Sequence, residues 1–153
     1  MANNRNCMKK SLVFQQFIRI KAPPAKVWAA LTSPVLTKKF MFGGEAISEW
    51  KTGSTLTWRL EGSSKVLKGK IVALEPEKRL SYTIIDPESG YPDIPENYTT
   101  VTYELTGEKG ETIVSVSDGD FAAVADGEER YKRTVRGWTM ALNRLKEIVE
   151  GLA

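Results

Sequence analysis

The sequence predicts an α+β fold in which an antiparallel sheet of about seven strands, in the order β-α-α-β6-α, wraps a long C-terminal helix. Three observations carry it. Between Glu45 and Asp118 apolar residues recur at every second position, the period of strands with one buried face. The connections inside that stretch are short and turn-rich, which suits antiparallel hairpins and excludes helical crossovers. From Tyr131 to Val149 the spacing changes to alternating four- and three-residue steps, a single stripe along one face of a helix.

Taken in order, Leu12 to Lys21 is rich in β-branched and aromatic residues and reads as a strand that stops at Ala22-Pro23-Pro24. Proline lacks the N–H a ladder needs, and its fixed φ suits a helix's first turn. Val27, Trp28 and Leu31 then give a short amphipathic helix, with Trp28 packing it down. Ser33-Pro34 reads as an N-cap and first-turn pair opening a second short helix through Val35, Leu36 and Phe40, which Gly43-Gly44 ends.

In the sheet region Leu56, Trp58 and Leu60 alternate with Thr55, Thr57, Arg59 and Glu61. Leu80, Tyr82 and Ile84 alternate with Ser81 and Thr83, and Val101, Tyr103 and Leu105 with Thr100, Thr102 and Glu104. Val114 and Val116 continue the pattern against Ser115 and Ser117. Lys65 to Leu74 is a further strand whose facing the alternation leaves ambiguous. Pro87, Pro92 and Pro95 mark a long irregular loop between Asp86 and Asn97, carrying Tyr91 and Ile94; loops of this length are often lids.

Asp126 is placed to cap the last helix, with Glu129 completing a capping-box-like pair, and Gly151 to stop it. Glu128 with Lys132 and Glu129 with Arg133 are spaced for ion pairs one turn apart. The helix should be roughly 36 Å long at about 1.5 Å per residue, enough to cross a sheet. Gly137, beside Trp138 in mid-helix, calls for close packing or a bend, because glycine there costs about 1 kcal/mol relative to alanine.

Composition narrows the chemistry. With 153 residues, 41% hydrophobic and 27% charged, the chain has the length and makeup of one globular domain. The polar, basic Met1 to Lys10 has no apolar signal core, so residues 1–11 read as a flexible tail ahead of a single domain at 12–153, expected in the cytoplasm. The lone Cys7 excludes an internal disulfide or a thiolate metal site. No histidine is present, which removes the commonest general base, the commonest transition-metal ligand and any histidine-activated nucleophile.

A net charge of +3, with both signs interspersed, gives nucleic-acid binding no support, and no apolar run approaches the ~20 residues a membrane span needs. Asp118 and Asp120 flank Gly119 and read as turn chemistry, too few ligands for a cation. Glu61 and Arg59 lie on the polar strand face, and Asn97-Tyr98-Thr99 matches a glycosylation acceptor only formally. No metal and no cofactor is expected.

The order strand, two short helices, six strands, long helix resembles the START-like or SRPBCC superfamily, the helix-grip fold of birch-pollen-allergen-like proteins, over roughly residues 12 to 151. It looks closest to the family of homologues of activators of the heat-shock-protein-90 ATPase. The residues that carry this are Ile20-Lys21-Ala22-Pro23-Pro24-Ala25-Lys26-Val27-Trp28-Ala29-Ala30-Leu31-Thr32, Gly69, the turn from Pro76 to Leu80, and Gly137-Trp138. That family usually has a tryptophan near the end of the second short helix, where this chain has Phe40-Met41-Phe42.

The resemblance implies an internal cavity between sheet and long helix that takes apolar or amphipathic molecules. By strand face and family position, its lining is expected to be Phe40, Phe42, Trp58, Tyr82, Tyr103, Phe121, Trp138 and Leu142. Each of these aromatics taken singly also serves as ordinary core. Three functions follow, in order of preference. The first is binding of a small hydrophobic or amphipathic ligand, and the second a co-chaperone-like interaction with a heat-shock-protein-90-type ATPase. The third is a cavity enzyme of cyclase or dehydratase type, which would need an inward carboxylate, tyrosine or arginine. No catalytic residue is assigned, and the chain is expected to be a monomer or weak dimer.

Overall fold

The computed structural model describes residues 11–151; most of the expected tail, Cys7 and the last two residues lie outside that range. Strand β1 (Phe14–Ile20) is followed by helices α1 (Pro24–Thr32) and α2 (Pro34–Phe40). Strands β2 (Gly44–Ser48), β3 (Thr55–Leu60), β4 (Val66–Glu75), β5 (Arg79–Ile84), β6 (Thr99–Glu108) and β7 (Glu111–Gly119) follow, and helix α3 (Gly127–Glu150) ends the chain. The seven strands form one antiparallel sheet in the order β1-β7-β6-β5-β4-β3-β2. The predicted meander runs from β2 to β7, and the first strand pairs with the last.

The strand faces follow the alternation. Leu56, Trp58, Leu80, Tyr82, Val101, Tyr103, Leu105, Val114 and Val116 are buried, while Arg59 and Glu61 point to solvent. The ambiguous β4 owes its mixed pattern to a shift of register between Ile71 and Ala73, which breaks the period of two. Gly69 and Ile71 face inward. A Cβ at Gly69 would stand 1.6 Å from the Thr83 carbonyl oxygen, so only glycine lets β5 approach there.

Helix α2 is held against β2 by Thr37, whose Oγ1 donates to the Pro34 carbonyl at 3.2 Å and accepts from the Ala46 N–H at 2.9 Å. The turn that follows puts Phe42 at φ 53° and Gly43 at φ 85°. This left-handed step swings the Phe42 ring out beside α3, 3.9 Å from where a Cβ on Gly137 would sit. Both short helices begin at the predicted prolines. Ser33 nevertheless makes no side-chain capping bond, the proline at the first position having already removed one free N–H.

Helix α3 buries Trp138, Ala141, Leu142, Leu145 and Val149, each large aliphatic contributing about 1.5–3 kcal/mol by its removal from water. Tyr131 and Val135, in the helix's first half, are only partly buried against the core. Its N-terminus differs from the capping-box expectation. Asp126 has φ 52° and forms no capping bond, because left-handed backbone does not aim the carboxylate at the first free amides. Its Oδ2 accepts from the Tyr91 hydroxyl at 2.9 Å instead. Glu129 pairs with Lys132 at 3.9 Å rather than with Arg133, and Arg133 Nη2 donates to the Tyr91 hydroxyl oxygen at 3.4 Å. Gly151 stops the helix in right-handed backbone, φ −82°.

Candidate ligand cleft

Register places one inward row across five strands: Phe14 on β1, Asp118 on β7, Val101 on β6, Tyr82 on β5 and Ile71 on β4. Asp118 is 6% exposed, the one charged residue buried among the described residues. Turn chemistry had been expected of it. It lies inside β7 instead and continues the inward series of Val114 and Val116. That alternation, carried one step further along the sequence, would have found it. Asp120 does belong to a turn, its Oδ1 accepting from the Leu12 and Ala122 backbone N–H groups at 2.8 Å each. The two carboxylates therefore do not converge, and no group of three candidate metal ligands occurs among the described residues.

Asp118 reaches the long helix. Its Oδ2 accepts from Trp138 Nε1 at 3.0 Å, while its Oδ1 is buried without a protein hydrogen-bond partner. Burial pushes the carboxyl up to about 6, against the opposing pull of the Trp138 indole, the nearby Thr99 hydroxyl and the charge of Arg130. The Tyr82 hydroxyl and Trp58 Nε1 are likewise buried with no partner at full hydrogen-bonding geometry, although the Tyr103 hydroxyl lies close enough to act on Tyr82. Burial raises the phenols of Tyr82 and Tyr103 well above their ordinary values, with the Asp118 charge acting in the same direction, so both remain neutral donors. Unpartnered buried polar atoms are costly and rare in folded proteins.

Two clefts, both open to solvent, meet at Asp118. The inner one, about 150 Å³, runs between Tyr82 and Val101 on the sheet and Trp138, Gly137 and Ala141 on α3, with Met41 and Phe42 at its side. The outer one, about 340 Å³, is bounded by Ser89 and Tyr91 of the long loop, by Phe121, and by Arg130 and Arg133 of α3. Ile84, Asp118 and Thr134 belong to both walls. The loop is fastened over this region. Arg130 donates to the Asn97 and Ala125 carbonyls at 2.9 and 3.3 Å and lies 4.9 Å from the Tyr91 ring centre. Asn97, formally a glycosylation acceptor, is buried and binds the Pro92 carbonyl and the Ala125 N–H.

Of the eight residues expected to line a cavity, Tyr82, Trp138 and Phe42 border the inner cleft and Phe121 the outer. Phe42 does so from the rim, 59% exposed. Phe40, Trp58, Tyr103 and Leu142 sit in packed core, each no more than 4% exposed. The reason is aromatic packing: Trp138 stacks on Phe14 at 6.4 Å and meets Tyr103 edge-on at 5.6 Å, while Trp58 lies against Tyr82 at 5.8 Å. These contacts fill the middle of the interior and leave free space toward the N-terminal half of α3. Trp28 packs against the core as expected.

Two larger grooves carry none of the unpartnered buried atoms. One of about 560 Å³ follows the β4–β5 turn near Pro24. Another of about 500 Å³ lies beside Gly69, Lys68 and Tyr98.

The sequence model of one protein family, described as "Activator of Hsp90 ATPase homolog 1-like protein", matches residues 21–150. No curated protein matches the chain. Among solved structures, the chain is similar to ChR145 from Cytophaga hutchinsonii, with 34% identity over 90% of this chain and 93% of that one and a TM-score of 0.74. An Aha1 dimer from Colwellia psychrerythraea shares 23% identity over 91% and 96% of the two chains, TM-score 0.72. CalU16 from Micromonospora echinospora shares 23% over 91% and 74%, TM-score 0.69. The last two likenesses bear on the fold alone.

Proposed function

The chain belongs to the family of Activator of Hsp90 ATPase homolog 1-like proteins, and from that premise we propose that it binds a small amphipathic molecule in the two clefts that meet at Asp118. The observation that carries this reading is the meeting of the two clefts at Asp118, a buried carboxyl that lines both, with Tyr82, Trp138 and Phe42 bordering the inner one. Ligand sites are commonly of this kind, apolar walls with a few polar groups that fix orientation. Gly137 supports it further, since a mid-helix glycine faces the inner cleft and meets only Phe42 nearby.

Native mass spectrometry of protein purified without organic solvent, followed by extraction, tests the reading. The expected result is a retained apolar compound, or selective shifts of the Trp138 and Tyr82 NMR signals when a naphthalene-sized probe is added. No retained mass, together with no shift at millimolar probe, rules it out.

A cavity enzyme is the second reading, favoured by Asp118, which supplies the inward carboxyl such an enzyme requires. Turnover of a bound compound that stops in Asp118→Asn would establish it. Docking on a chaperone ATPase is a third. The exposed Val13 and Phe17, 46% and 63% accessible beside and on the edge strand β1, favour it, and a changed ATPase rate in the presence of this protein is its test.

A further inference from the structure

We propose that a second copy of this chain pairs with it edge to edge along β1, antiparallel and two-fold symmetric about Gln15, so that Val13 and Phe17 of each copy stand opposite Phe17 and Val13 of the other.

In an antiparallel ladder each residue turns its N–H and C=O to one side, and the side alternates along the strand. Leu12 turns toward β7, its carbonyl accepting from the Phe121 N–H at 2.9 Å. Arg19 turns to the open edge, where its carbonyl accepts from Lys146 Nζ at 3.0 Å. Lys21 faces the same way and gives its N–H to Glu150 Oε2 at 2.8 Å. Two side chains of α3 therefore close the far end of this edge. By the same alternation Val13, Gln15 and Phe17 direct their backbone groups outward, and among the described residues nothing bonds to them there. The opposite edge of the sheet, β2, is covered at its middle residue, the Ala46 N–H donating to Thr37 Oγ1 of α2 at 2.9 Å.

The side chains of the open stretch lie on the sheet face away from Phe14, whose ring stacks on Trp138 of α3. Val13 is 46% exposed and Phe17 63%. Sheet edges are ordinarily guarded by charge, proline or a bulge, since free backbone groups beside apolar side chains are a template for another strand. Arg19 and Lys21 supply charge only at the end that α3 already closes.

Symmetry then fixes the register, because a two-fold antiparallel pair is defined by the residue at its centre. Centred on Gln15, the pairing uses all three open residues and none of the closed ones. A centre at Phe17 would set Val13 against Lys21 and Gln15 against Arg19, whose edge groups are taken. With Gln15 at the centre each Phe17 ring packs across on a Val13, the aromatic and β-branched combination that stabilises strand pairs. Arg19 then faces Ser11 of the second copy rather than a like charge, and keeps Glu111 of its own chain at 3.1 Å. This self-complementary spacing favours a second copy over an unrelated strand.

Val13 and Phe17 are also the side chains that favour docking on another protein, so the test reads the register. The full chain carrying Cys7→Ser, which removes its own thiol, receives Gln15→Cys, Val13→Cys or Phe17→Cys. Paired Gln15 Cα atoms would stand about 5.5 Å apart, within disulfide reach. Gln15→Cys should therefore oxidise to a covalent dimer. Val13→Cys and Phe17→Cys should not do so singly, but a mixture of the two should form the mixed dimer. Sedimentation of the natural chain from about 10 μM to about 1 mM should show a dimer. Phe17→Lys should weaken it at least about ten-fold, since symmetry applies each change twice. A natural chain that stays monomeric throughout, including one that carries a different protein on this edge, overturns the proposal, as does undiminished pairing by Phe17→Lys. A dimer in which Val13→Cys or Phe17→Cys alone cross-links as readily as Gln15→Cys overturns it too. Should Phe17→Lys not fold, the cysteine series decides.

Discussion

Trp138 Nε1 donates to Asp118 Oδ2 at 3.0 Å in the buried space between α3 and β7. The indole is thereby both a core aromatic, stacked on Phe14 and edge-on to Tyr103, and the polar tie that orients the carboxyl. With Oδ2 engaged by the helix, Oδ1 is left buried without a partner at hydrogen-bonding geometry.

Asp118→Asn should stabilise the protein above neutral pH. A carboxyl held near 6 in the fold and near its ordinary 3.8 in the unfolded chain keeps its proton in the folded state between those values. Folding stability from this group is therefore highest at low pH and declines as pH rises through about 4 to 6. The variant lacks that decline, so its advantage over the natural protein should grow by about 2–3 kcal/mol from pH 4 to pH 8. Urea denaturation of both proteins across that range measures it. A constant difference would mean that Asp118 titrates normally.

Trp138→Phe keeps a ring against Phe14 and removes the indole N–H. Leaving a buried carboxylate oxygen without its donor costs about 1–3 kcal/mol. Because that hydrogen bond favours the ionised form, its loss should also move the Asp118 midpoint above about 6, as read from the carboxyl ¹³C shift. A midpoint that stays put would show the indole to be a packing residue only.

Gly137→Ala should raise stability by up to about 1 kcal/mol, the helix preference of alanine over glycine, because the added methyl makes only an ordinary contact with Phe42 at 3.9 Å. Gly137→Leu should fill the inner cleft and abolish probe binding. Thermal melts and calorimetry on the pair check this, and undiminished binding by the leucine variant would take α3 out of the cleft wall.

Gly69→Ala should behave oppositely. Its methyl would stand 1.6 Å from the Thr83 carbonyl oxygen, and β5 cannot retreat without breaking its own ladder. A loss of at least about 3 kcal/mol, or no soluble protein, is expected. A variant that melts within a few degrees of the natural protein would show that β4 and β5 can separate at little cost.

Much of this fold is legible in residue order. The proline pair at Pro23-Pro24, the alternation through Leu56, Tyr82 and Tyr103, and the stripe from Tyr131 to Val149 are local patterns, set by backbone geometry that repeats every two or 3.6 residues. Legibility fails where a local pattern is broken or has two meanings. The bulge after Ile71 hid the facing of β4. Asp126 looked like a helix cap, but its left-handed backbone and Tyr91 took the carboxylate elsewhere. Asp118 resembled one half of a turn because Gly119 and Asp120 follow it, although the count of two from Val116 already put it inside.

The sequence by itself determined which elements form, their order, and which face of each is apolar, because those properties depend on neighbours a few residues away. Only the tertiary structure decided where free space remains. A cleft is what is left after Phe14, Trp58, Tyr82, Tyr103 and Trp138 have taken up their contacts, and those residues come from four strands and a helix far apart in the chain. Distance in sequence likewise separates Asp118 from the indole that holds one of its oxygens, so no local pattern could reveal that tie.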